Sequence, residues 1–356
     1  MTANTKFFSP TNAYLPVPTS QVIAYTRQPS DFAMNRYVQY VGHEAPTGIY
    51  WTMDRDQPVR VVSVRDFSWA PGADAPTGHH NLSRFTTTEF RCEREAVPFT
   101  LDLETVQLAQ KHGKVDPVAW ESMQTASQLM TLRARKIWSL LDTSGSFPTV
   151  NVDSATTLGG GKFDAGTSTA PYFQQGILEM ARRINLQTNG VARPSDCMLI
   201  LNPTDAIDIG KSAEMHDYMK GSPFAHPMIT GQTNPMGPHP NYLWGLPSHV
   251  AGVEIVVENT PYVSTRMIED ESATAGTRAY VKASDSATMV YRPGGMDGVP
   301  GSKSFSTIQM FYYKYEMAVM TKTDDWNQKI QGLVVDWNVF KVVAGHTGAF
   351  ASDIIT

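Results

Sequence analysis

The run Gly159, Gly160, Gly161, Lys162 has the composition of a phosphate loop, in which backbone N–H groups cradle a phosphate and a lysine neutralises it. Its spacing does not fit. The leading glycine and the Ser/Thr after the lysine are missing, since Phe163 and Asp164 follow. His79 and His80 are adjacent, so on a strand they would point to opposite faces and could not close on one ion. The adjacent carboxylates Asp324 and Asp325 precede Trp326 and Asn327 in what reads as a hairpin turn, where Asp and Asn serve turn geometry before general acid/base work. Cys92 and Cys197 lie far apart, lack CxxC or Cys/His spacing and have no basic neighbour in sequence, which describes inert thiols. GxSxG, HExxH, GxGxxG and DxDxDG patterns are missing, and Asn81-Leu82-Ser83 is a glycosylation sequon that matters only in a secreted protein. The expectation is a chain with no catalytic residues, cofactor or metal. A soluble α+β hydrolase, whose groups meet only in the folded state, is the alternative from a different class.

Composition narrows the function further. The chain has 356 residues and a net charge of −5 with no Lys/Arg cluster, which is the wrong balance for neutralising phosphates on a nucleic acid. DNA, if present, is enclosed and not gripped. Residues 1–22 lack a basic stretch followed by an apolar core, and no apolar run approaches membrane-spanning length. No secretion signal, no membrane partner and a reducing cytoplasm are therefore expected.

The elements that must position any functional surface can be read in order. Residues 1–50 are rich in Pro, Tyr, Asn and Thr without helical period, an arm that lies on a neighbouring subunit or wraps its own domain. Segments 59–69 and 84–97 read as strands separated by a tip rich in Pro, Gly, Ala and Asp, together a long ribbon. Arg55, Arg60, Arg65, Arg84, Arg91 and Arg94 alternate there with Asp54, Asp56, Asp66, Glu89, Glu93 and Glu95, leaving few apolar residues for a core. A ribbon without a core must lean on another surface.

Asp116 and Pro117 form a helix start, and Ala119, Met123, Ala126, Met130, Ile137 and Leu141 place one apolar stripe along a helix over 117–141. A second helix is expected from Pro171 to the Asn189-Gly190 stop, with Phe173, Ile177, Met180, Ala181 and Ile184 inward. A short strand at 198–201 then runs into Asn202-Pro203, which starts a third helix to about Lys220. Beyond a proline-rich excursion at 222–247, strands are expected at 253–257, 278–283, 288–291, 304–322 and 332–343. Helices set among many strands indicate an α+β fold.

This order, with MLILNP at residues 198–203 ahead of a helix, LWGLP at 243–247, and a closing β segment at 311–343, resembles the major capsid proteins of tailed bacteriophages, whose shared architecture is the Hong Kong 97 phage capsid fold. The resemblance implies an N-terminal arm at 1–53, an extended β-hairpin loop at 54–97, a peripheral domain at 98–200 and 300–356 with its spine helix at 117–141, and an axial domain at 201–299. It also implies pentamers and hexamers closing into an icosahedral head shell around double-stranded DNA, located in the virion capsid and assembled in the host cytoplasm. A portal protein is an expected partner, and a separate scaffolding protein and a decoration protein are possible ones. Inter-subunit contacts are expected at Arg55, Arg60, Arg65, Asp66, Trp69, Arg84, Glu89, Arg91, Glu93 and Arg94. Some family members carry a long charged helical segment ahead of the shell domain, and here the arm reads as non-helical. Others weld subunits through a lysine in the extended loop, yet no lysine lies between Lys6 and Lys111. Noncovalent contacts, arginine–carboxylate pairs above all, are left to hold such a shell. An encapsulin-like compartment shares the fold and is the nearer alternative, although no amphipathic cargo-docking helix opens the chain.

Overall fold

The structure, a computed structural model, describes residues 27–53, 85–113, 116–188, 190–220, 244–263, 278–292, 306–314, 317–324 and 326–356. The described chain begins with helix α1 (Met34–Tyr37), strands β1 (Gln39–His43), β2 (Thr47–Met53), β3 (Phe85–Arg91) and β4 (Glu93–Asp102), helix α2 (Leu103–Leu108) and the long helix α3 (Pro117–Leu141). Next come β5 (Val152–Ser154), α4 (Ala155–Gly159), α5 (Tyr172–Gln187), β6 (Cys197–Leu201), α6 (Pro203–Gly210) and α7 (Ala213–Lys220). Strands complete it: β7 (His249–Val250), β8 (Val253–Val257), β9 (Pro261–Val263), β10 (Arg278–Tyr280), β11 (Ser286–Tyr291), β12 (Ile308–Tyr313), β13 (Ala318–Asp324), β14 (Lys329–Val342) and β15 (Ala349–Ser352).

Two sheets organise these elements. A six-stranded sheet runs β5-β15-β11-β6-β8-β7, and helices cover both of its faces. Leu199, Ile255, Met289 and Ala351 point into a core with Phe173, Ile177, Met180 and Ile184 of α5. Their alternate neighbours Ile200, Val256, Val290 and Phe350 point into a second core with Met130, Ile137, Trp138 and Leu141 of α3. Burial on both faces is why these strands read as unbroken apolar runs. This sheet joins strands from 152–154, 197–201, 249–257, 286–291 and 349–352, so it spans the boundary expected near residue 200.

The other large sheet is built on β14. Along one edge β14 pairs antiparallel with β13 and then β12, and along the other it pairs with β4 from Lys329↔Asp102 to Asn338↔Glu93. β1 adds in parallel beside β12. Gly332 lies opposite Phe99 across the β14–β4 pair, and a Cβ there would stand 1.9 Å from Phe99 Cζ, so the ring occupies the space that a side chain would need. The strand expected over 304–322 is in fact two, β12 and β13, parted at Lys314, whose positive φ of 62° breaks extended backbone.

Helix α3 starts as its sequence dictates. Asp116 Oδ1 accepts from the N–H groups of Val118 and Ala119 at 3.1 and 3.3 Å, and Pro117 takes the first helical position. Of the expected stripe, Ala126, Met130, Ile137 and Leu141 are buried, Met123 is half-buried and Ala119 is exposed. Ala119 sits in the first turn of the helix. Helix α5 has no side-chain cap of its own. Glu214 of α7 supplies one from a distance, accepting from Phe173 N at 3.0 Å and Gln174 N at 2.9 Å. The single helix expected over 203–220 is broken into α6 and α7, because Ser212 Oγ accepts from Met215 N at 3.2 Å and caps a new helix.

Candidate assembly interface

The ribbon begins earlier than its charge pattern suggested, since β2 opens at Thr47 and pairs with β3 from Thr47↔Arg91 to Met53↔Phe85. Its second strand, expected as one run over 84–97, divides at Cys92. Before that residue the chain pairs with β2, and after it with β14. Cys92 N donates to Pro46 O at 2.7 Å, and the side chain turns inward beside Phe90, Phe311 and Val343. The strand thus passes from ribbon to sheet without a loop.

An aromatic cluster anchors that base. Phe90 stacks on Phe311 with centroids 4.5 Å apart and planes at 13°, and His43 lies 4.7 Å from Phe90 and 5.4 Å from Phe311. Burial pushes the His43 imidazolium down from its ordinary value, which keeps the ring neutral and suited to this setting. Gly48 is the close approach that permits the stack, because a Cβ there would stand 2.6 Å from Phe90 Cζ. The ribbon is therefore fixed at its root by contacts within its own chain.

Of the expected contact residues, Arg55, Arg60, Arg65, Asp66, Trp69 and Arg84 lie outside the described residues, as do the arm up to residue 26 and His79 and His80. Glu89 and Arg91 are exposed on β3. Glu93 reaches Lys136 of α3 at 3.4 Å, and Glu95 does so at 2.8 Å. Arg94 lies over the Trp337 ring at 5.7 Å. The last two of the ten expected residues, Glu93 and Arg94, are thus engaged within the chain.

Beneath the ribbon a buried ion pair locks α3 to β14. Arg133 Nε donates to Asp336 Oδ2 at 2.5 Å with both side chains wholly enclosed, and Asn338 Nδ2 donates to the same oxygen. Sequence reasoning missed this pair, because an arginine inside an apolar stripe reads as the solvated side of a helix.

It also missed an outward surface. β13 is an edge strand with Val319 and Met320 about half exposed, and the turn that follows holds Trp326 93% exposed. Asp324 builds that turn by accepting from Asn327 N at 3.3 Å and Asn327 Nδ2 at 2.7 Å, and those bonds hold its carboxyl below the ordinary range. A fully exposed tryptophan is thus carried on a turn beside a strand edge that is open among the described residues, the kind of surface that chains normally cover. The signal was present: a tryptophan in a turn has nothing local to pack on.

The motifs that suggested chemistry have structural explanations. A Cβ on Gly159 would stand 2.3 Å from Tyr172 O, so the glycine run lets α4 pack against α5. Lys162 Nζ is held by Asp353 at 2.9 Å and Ile355 O at 2.6 Å. Both cysteines are buried free thiols, raised by desolvation, with Cys197 pushed up to about 12. Among the described residues no three His, Cys, Asp or Glu side chains are grouped to hold a metal, and no helix is long and apolar enough to cross a membrane.

No protein-family profile and no curated protein sequence matches the chain. Solved structures do. A phage-related protein from Bordetella bronchiseptica superposes with a TM-score of 0.58 at 11% identity, over 95% of this chain and 97% of that one. The capsid of the cyanophage P-SCSP1u gives 0.51 at 12% identity, over 92% and 88%. The mature capsid of bacteriophage PhiM1 gives 0.50 at 12% identity, over 89% and 85%. The chain has the Hong Kong 97 phage capsid fold.

Proposed function

We propose that this chain is the major capsid protein of a tailed bacteriophage, assembling as pentamers and hexamers into an icosahedral head around double-stranded DNA. The observation that carries the reading is the superposition on phage capsids over about nine-tenths of the chain's length, which leaves little of it for a second, catalytic unit. The net charge of −5 suits a wall that encloses DNA without reading its sequence. Residues 1–53 serve as the arm and 54–97 as the extended loop. Residues 98–200 and 300–356, with α3 as the spine, form the peripheral part and 201–299 the axial part, and the six-stranded sheet draws strands from both. Shell contacts come from the ribbon charges, Glu89 and Arg91 among them, and from the β13 edge with Trp326, each meeting a second copy of this chain. Individually modest contacts become strong through multiplicity. A portal protein completes one vertex, assembly takes place in the host cytoplasm with a separate scaffolding protein or without one, and a decoration protein can bind the finished virion.

The encapsulin-like alternative predicts protein cargo in place of a genome. Particles purified from cells that also express the flanking genes decide between them. Nuclease-protected double-stranded DNA inside the particles supports the phage head, whereas a protein cargo with no protected DNA overturns it in favour of a compartment.

A further inference from the structure

Where α3 ends, three segments far apart in sequence meet around a wholly buried lysine. Lys282 Nζ donates to Ser286 Oγ at 2.8 Å, and Ser286 Oγ donates on to Asp142 Oδ1 at 2.9 Å. Lys282 lies 3.5 Å from Asp142 and 4.9 Å above the Trp138 ring. Asp142, the C-cap of α3, also accepts from Ala283 N at 2.8 Å through its other oxygen. From the start of α6, Asn202 Nδ2 donates to Lys282 O at 2.6 Å, and buried Asp205 accepts from Asp285 N at 3.0 Å. Asp205 Oδ2 is enclosed without a hydrogen-bond partner. The C-terminal tail closes the third side, with Asp353 N donating to Asp285 O at 3.1 Å and Ile355 N to Asp285 Oδ1 at 3.1 Å. The charged groups facing Lys282 are Asp142, Asp205 and Glu258, and those facing Asp205 are Lys282 and Asp285. Glu258 is itself occupied by Tyr37 Oη at 2.7 Å and Thr260 Oγ1 at 2.5 Å.

We propose that Asp205, Lys282 and Asp142 form a proton-operated joint that sets how firmly the end of α3 is held to the six-stranded sheet, with Asp205 Oδ2 as the atom that takes the proton. That oxygen is buried without a hydrogen-bond partner, so the carboxyl is easier to enclose with a proton on it, and the 282–286 turn, whose Asp285 N–H bonds the same carboxyl, is the part that loosens when the proton leaves. Desolvation raises Asp205 to about 6, against bonds from the Asp285 N–H and the charge of Lys282, which lower it. A carboxyl raised on folding stabilises the closed joint at low pH, and that contribution is lost as pH rises through the folded value. Going from the ordinary aspartate value of 3.8 to about 6 makes the opening constant rise about tenfold between about pH 5 and about pH 7.5. In an assembled shell the joint would set the tilt between the two parts of each subunit, a consequence that rests on the capsid reading.

The joint itself is tested on the unassembled full chain, so failure of the capsid reading leaves the result intact. Hydrogen exchange of peptides covering 138–143 and 281–287, corrected for intrinsic rates, should show about tenfold faster opening at the higher pH. Asp205→Asn, a mimic of the protonated acid, should abolish that difference, and Asp153→Asn, remote from the joint, should preserve it. A wild type with no pH dependence in these peptides, or the same dependence retained in Asp205→Asn, would overturn the proposal. If Asp205→Asn does not fold, carboxyl titration of Asp205 by carbon NMR in the wild type decides: a midpoint near the ordinary aspartate value contradicts the joint, and one near 6 supports it.

Discussion

Replacing Arg133 by Met tests what holds the long helix against the ribbon's parent sheet. The pair with Asp336 is enclosed on both sides, so the substitution leaves a carboxylate in the interior facing an aliphatic chain. Removing one partner of a buried pair costs about 3–5 kcal/mol, chiefly the penalty of an uncompensated charge. A typical domain has about 5–15 kcal/mol in total, so the variant should lose a large share of its stability. Replacing both partners with apolar residues behaves differently, since it removes the charge to be solvated. The double variant Arg133→Met/Asp336→Leu forfeits the bond from Asn338 to Asp336, worth about 1–3 kcal/mol for an amide left unsatisfied. It recovers part of that through packing, and should fall within about 2 kcal/mol of the wild type. Urea unfolding of the unassembled chain, followed by tryptophan fluorescence, measures all three. A single variant that loses less than about 1 kcal/mol, or a double variant no better than the single, would refute the assignment of this pair as the lock.

Four further expectations follow from the same structure. Trp326→Ser should leave the unassembled chain within about 0.5 kcal/mol of wild type while lowering shell yield, read by unfolding and by sedimentation side by side. Gly332→Ala should cost about 1–3 kcal/mol by pressing a methyl into Phe99, and Phe99→Leu in the same chain should relieve it, both seen in urea midpoints. Cys92 and Cys197, buried with raised values, should resist a disulfide reagent at about pH 8 in the folded chain and react fully in denaturant. Glu179 is held at about 2, first by the hydrogen bond from Arg182 and also by Arg183, so its stabilising contribution is present above its ordinary 4.5 and lost as pH falls toward 2. Arg182→Ala should move that loss to higher pH, visible in melting temperature against pH.

Local signals carried the helices. The Asp116-Pro117 start, the Asn202-Pro203 start and the five inward residues of α5 each depend on residues within a few turns, and each appears as the sequence implies. Strand partners did not follow, because β1 with β12 and β4 with β14 are pairings across more than two hundred residues whose register no local pattern encodes. Charged residues misled for a physical reason. The pattern singled out neither Arg133 nor Lys282, because a lone charge is ordinarily solvated, yet each is buried where a carboxylate from another element meets it. The ribbon charges led attention to a surface that is largely outside the described residues, while the turn carrying Trp326 was read for Asp324 and Asn327 and not for the ring they hold outward. The order of elements, with the short MLILNP and LWGLP segments, was the legible part of function, since it led to the capsid fold.

The claim that this chain builds a closed shell is tested most directly by size-exclusion chromatography and negative-stain electron microscopy of the protein, expressed alone and with its flanking genes. The account predicts uniform closed particles, or pentamers and hexamers that convert into them. A stable monomer or small dimer under both conditions would contradict it.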